Sequence, residues 1–135
     1  MDISTLLKTA FPDALTDFDT DSALIAANTD LQWLAREKQN QDLCVLVPRY
    51  MYWCSQSDDM ASLVFDDTIR ALAEYGRCKK PELAHLNFAY LCNRLQKQAV
   101  IQFLVWCLHE NSTLDATQIK RAIRNWRTML ASTEN

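Results

Sequence analysis

Apolar residues along this chain recur at steps of three and four, the spacing that lines one face of an α-helix. The pattern predicts a short helix over 3–10 that stops before Phe11-Pro12. Residues 12–20 follow as an acidic connection, with Leu15 and Phe18 as its candidate anchors. Leu24, Ala27, Leu31 and Leu34 then share a helical face. Asp19 or Asp21 is placed to accept the free N–H groups of that helix's first turn, and Thr29 to cap a second segment after a break at 28–30. Residues 40–57 are the most apolar early region. Proline has no N–H and clashes with the preceding turn, so Pro48 should divide this region into helices over 41–46 and 48–54. The run Tyr50-Met51-Tyr52-Trp53-Cys54 is apolar on every side. Such a helix is either central or covered on one face by a partner.

The clearest helix spans 59–75, with Asp58 or Asp59 as its cap and Leu63, Val64, Ile69 and Leu72 facing inward. Asp66, Arg70 and Glu74 follow at four-residue steps as a surface ion-pair ladder. Gly76, the only glycine, stands where a left-handed residue would end that helix. Arg77, Lys79 and Lys80 lie beside its negative end, and Pro81 opens the next segment. Residues 82–92 and 95–110 read as helical, divided near Asn93. Gln98, Gln102 and His109 fall on one side of the second stretch, and apolar residues cover the rest. After a turn at 111–113, Asp115 and Gln118 have capping-box spacing. Ile119, Ile123, Trp126 and Leu130 form the buried stripe of the last helix. The expected fold is all-α: one domain over 1–135, a bundle of about six to seven helices with a central apolar helix near 95–110.

Composition supports that fold. One hundred and thirty-five residues with 49% hydrophobic content suit one core, and one glycine with three prolines is too few for the turns of a β-sandwich or barrel. The longest apolar stretch, Ala99 to Leu108, is too short to span a membrane. Five cysteines, odd in number and with no C-x-x-C, read as buried free thiols. With no signal peptide recognised at the start, the expected location is cytoplasmic.

Net charge is −3, and it is unevenly placed. Residues 1–30 carry six aspartates against Lys8 alone; residues 116–133 carry Lys120, Arg121, Arg124 and Arg127 and no acid. Those four cations are the candidate face for an anionic partner, including the phosphates of a nucleic acid. The acidic 12–30 segment is an alternative occupant, lying across the basic helix of its own or another chain.

Little else points to chemistry. His85 and His109 are the only histidines, and no helix face carries two metal ligands at a usable spacing, so neither metal nor cofactor is expected. No local pattern pairs a cysteine with a base, so no catalytic residue is assigned. Asp67 lies nearer the apolar side of its helix than Asp66 and should find a partner such as Arg49 or Arg94.

Three segments carry a resemblance. Leu6-Leu7-Lys8-Thr9-Ala10-Phe11, then Leu46-Val47-Pro48-Arg49-Tyr50-Met51, then Leu86 to Leu91 with Gln98 to Leu104 resemble, in order, a family of small all-helical bacterial proteins of unknown function. The resemblance covers about residues 5–110 and implies no catalytic residue. It implies a protein-binding role of the immunity or antitoxin kind. The expectation is a non-enzymatic protein-interaction module, with Tyr50, Tyr52 and Trp53 as candidate partner-binding anchors and a homodimer as one assembly. The alternatives are a nucleic-acid-binding regulator using the last helix and a small-ligand binder with a pocket near Pro48, Asp67 and Arg94.

Overall fold

The computed structural model describes residues 2–16, 18, 43–57, 63–110 and 116–132. These residues form seven helices and no strand: α1 (Ile3–Ala10), α2 (Pro12–Leu15), α3 (Leu43–Gln56), α4 (Leu63–Arg77), α5 (Phe88–Leu91), α6 (Arg94–Glu110) and α7 (Ala116–Ala131). The caps expected at Asp19, Asp21, Thr29, Asp58, Asp59 and Asp115, the face through Leu24 and Leu34, and the turn at 111–113 lie outside the described residues.

The five longer helices close a ring. α7 packs on α4 and α6, α6 on α1, α1 on α3, and α3 back on α4. The short α2 lies against α3, and α5 sits between α3 and α4. One continuous apolar core draws on all seven helices. Phe88 of α5 fills the ring's interior. Its ring lies 6.2 Å from that of Phe11, 5.6 Å from Tyr75 and 5.9 Å from Trp126, centroid to centroid. No helix among the described residues is long and apolar enough to cross a membrane.

Four expectations are corrected. First, Pro48 does not divide its region, and α3 runs through it from Leu43 to Gln56. Proline removes one ladder donor, but Leu43, Leu46, Val47, Tyr50 and Met51 on both sides of it are buried, so packing holds both halves on one axis. Second, Gly76 is helical rather than left-handed, since α4 extends past it to Arg77. Its value is space. A Cβ there would stand 2.8 Å from Trp126 Cδ1, closer than side-chain carbons approach. The bare glycine lets the indole reach over one turn of α4 and donate from Nε1 to the Leu72 carbonyl at 2.8 Å.

Third, the ion pairs of α4 are Asp67–Arg70 at 3.5 Å and Glu74–Arg77 at 3.3 Å, at three-residue steps rather than the expected ladder from Asp66. Asp67 is mostly covered, and its ion pair among the described residues is with Arg70 rather than with Arg49 or Arg94. Arg49 donates to the Ala14 carbonyl at 2.9 Å and lies over the Phe18 ring, fixing α2 to α3. Fourth, residues 81–87 are turns rather than helix. Pro81 lacks a donor, Asn87 Nδ2 donates to the Pro81 carbonyl at 3.0 Å, and Tyr90 Oη donates to the Cys78 carbonyl at 2.8 Å. These bonds fold the segment back so that Phe88 enters the core.

The division near Asn93 is present, and its chemistry is a reciprocal cap. Gln96 N–H donates to Asn93 Oδ1 at 2.8 Å, and Asn93 N–H donates to Gln96 Oε1 at 2.9 Å. Both satisfy donors that the first turn of α6 leaves without helical acceptors.

Candidate interaction groove

The aromatic anchors proposed from sequence belong to the core. Tyr50 is fully buried, Tyr52 is buried, and Trp53 is half-buried against the core. Tyr52 is covered from within its own chain: Phe18 meets it edge-on at 6.3 Å, and Lys8 Nζ lies 5.2 Å above its ring. An apolar run at mid-chain cannot distinguish a core helix from a docking helix. Here Lys8 of α1 and Phe18, beyond the end of α2, supply the cover.

The cysteines are chemically quiet by position. Cys54, Cys78, Cys92 and Cys107 are buried, Cys44 is half-buried, and none of the five is in a disulfide. Burial pushes the Cys54 thiol up to about 12, against a smaller opposing effect of the Thr68 hydroxyl. Thr68 Oγ1 has no conventional hydrogen-bond partner and sits beside that thiol. Burial likewise raises Cys107, assisted by the nearby Cys54, and raises Cys92, assisted by Cys44 and opposed by Lys97. Lys97, between Gln96 and Gln98 near the start of α6, is buried, and the sequence pattern did not single it out. A reactive cysteine needs its thiolate favoured, and these sites do the reverse. Among the described residues no group of three or more His, Cys, Asp or Glu side chains gathers as a metal site. His85 is half-buried in a turn, and His109 is exposed in the last turn of α6.

The solvent face of α6 and α7 is different. Gln98, Gln102, Val105 and His109 follow at steps of four, three and four, so they share one side of α6. On α7, Lys120, Arg124 and Arg127 follow at steps of four and three, while Arg121 lies a quarter-turn away. The two faces meet along a groove. Its upper part, about 650 Å³, has Val105, Leu108, Ile123 and Ala131 as apolar surface and Lys120, Arg124, Arg127 and His109 as polar surface. Its lower part, about 410 Å³, is lined by Leu6, Leu95, Ile101 and Leu130, with Gln98, Gln102 and again Arg127. Arg127 joins the two.

Among the described residues, no carboxylate lines either part. Three of the four basic residues singled out by sequence are therefore brought together, and Arg121 is not. The acidic 12–30 segment is described only at 12–16 and 18; its α2 portion packs on α3 rather than along α7. Pro48, Asp67 and Arg94, the expected ligand pocket, do not line these cavities; Pro48 is buried and Arg94 exposed on a separate helix. Gln98, Gln102 and Val105 were missed as groove residues. Their signal was present, as two amides on one side of an otherwise apolar helix, but only the neighbouring helix shows that this side is a groove wall.

No family model, curated protein or solved structure matches the chain. The resemblance over residues 5–110 thus assigns no family. Its one structural implication, an all-helical fold, agrees with the architecture described.

Proposed function

We propose that this chain is a non-enzymatic protein-interaction module that binds its partner along the α6–α7 groove. The observation that carries the reading is the groove's form: elongated, apolar at its floor and polar at its rim. Protein interfaces have that arrangement, with an apolar centre that excludes water and a polar border. Leu95, an exposed large apolar residue in the first turn of α6, carries apolar surface to the lower end of the groove. A nucleic-acid regulator is the weaker reading, because the cations flank an apolar floor that offers phosphates nothing.

Position-specific photo-crosslinking in the native host tests this. A photoreactive residue at Gln102, exposed on the groove wall, should give a protein adduct. The same residue at Glu82, exposed on the 81–87 turns, should give none. Equal adducts at both positions, or none at Gln102, would remove the reading.

A further inference from the structure

We infer that the occupant of the groove is an acidic amphipathic helix of a partner protein, about four turns long. The inference rests on the proposed protein-binding role and specifies the chemistry of the partner.

Length comes first. The groove wall on α6 runs from Leu95 to His109. At 1.5 Å per residue that is about 21 Å, or about four helical turns. Two linked cavities drawn out over that length fit a rod rather than a compact metabolite.

Polarity comes next. The floor residues Ile123 and Ile101 are nearly covered, so the apolar surface is recessed between two helices. A recessed floor accepts a protruding stripe of side chains, as a docked helix presents at i, i+3, i+4 and i+7. It does not protrude into a flat lipid surface, which is how amphipathic helices bind membranes.

Charge then selects among helices. Lys120, Arg124 and Arg127 stand along one wall at helical spacing, and among the described residues no lining side chain opposes them with a carboxylate. A helix with acidic residues at matching steps beside its apolar stripe places carboxylates against all three. Arginine in particular takes a carboxylate in a two-pronged hydrogen bond. A basic helix would meet like charge along the same wall, an arrangement that costs binding. On the opposite wall, Gln98 and Gln102 offer both donors and acceptors to the polar flank of such a helix.

Three synthetic helical peptides of about four turns test this on the full chain. The first carries leucines at i, i+3, i+4 and i+7 flanked by glutamates. The second has lysines in place of the glutamates. The third keeps the first's composition with the leucines scattered around the helix. A DNA oligonucleotide of equal charge is the fourth probe. Fluorescence anisotropy measures binding, and amide shift mapping locates it.

The first peptide should bind with shifts at α6–α7 groove residues, and the other probes should be weaker by about tenfold or more. Arg124→Glu with Arg127→Glu should weaken the first peptide and strengthen the second. Both arginines are exposed, so the variant should keep the wild-type melting temperature. Equal binding of the scattered peptide or of DNA would overturn the inference in favour of a general polyanion surface. Preference for the lysine peptide, or shifts outside the groove, would overturn it as well. If Gln102 crosslinks to a protein in cells and none of the peptides binds, the inference falls and the interaction role stands. If the acidic peptide binds and Gln102 gives no adduct, the interaction role fails by itself.

Discussion

Gly76 shows how one residue can be identified from sequence and still have its reason misread. Its position near the end of α4 suggested a left-handed terminator; its task is to leave room for Trp126. The two accounts predict different mutants. Alanine gains about 1 kcal/mol over glycine in a helix interior. Forcing a methyl against a fully buried indole costs roughly 1–3 kcal/mol. Gly76→Ala should therefore cost up to about 2 kcal/mol in urea unfolding rather than stabilise, with Gly76→Asn worse. In a double-mutant cycle, Trp126→Phe should reduce the cost of Gly76→Ala, because the smaller ring vacates the contact. The cysteines give a second prediction at this scale. In the unfolded chain a thiol titrates near 9.0, and burial holds Cys54 neutral in the folded chain up to about 12. Across that window the folded state binds more protons, so Cys54's contribution is intact below about pH 9 and declines as pH rises toward 12. The urea midpoint of the wild type should fall more between pH 8 and pH 10 than that of Cys54→Ala. Equal slopes would show that this thiol is not coupled to folding.

Among the elements, α6 has a start written locally. Asn93 and Gln96 are three residues apart, and their side chains close a reciprocal cap. Gln96 does more, because its Nε2 also donates to the Ala10 carbonyl at the end of α1 at 3.2 Å. Asn93→Ala should cost about 1 kcal/mol. Gln96→Ala should cost more, since it loses the cap and the tie to α1 together. Hydrogen exchange would locate the damage: protection should fall at the first turn of α6 and persist along α7. By contrast α3 was misread, because the local rule for Pro48 was right about the lost donor and silent about the packing on either side. The 81–87 turns were misread for the same kind of reason. Their side-chain bonds to backbone across six and twelve residues are not visible in a periodicity.

At the scale of the whole molecule, five helices close around Phe88. That ring touches partners from three separate parts of the chain, so its loss cannot be absorbed by one neighbour. Phe88→Ala should destabilise by about 3–5 kcal/mol in denaturant unfolding. A loss below about 1 kcal/mol would mean that the ring collapses around the cavity and that Phe88 is not its keystone. The sequence by itself determined the all-helical class, the inward stripe of Ile119, Ile123 and Trp126, the buried state of four of the five cysteines and the basic side of α7. Each follows from residue type at helical spacing, a local property. The tertiary structure alone decided that Tyr50 and Tyr52 are covered by their own chain, that Gly76 serves Trp126, and that Gln98 and Gln102 of α6 line a groove with Arg127 of α7. Those are relations between helices far apart in the chain, and helical periodicity fixes which side a residue takes without fixing what that side meets.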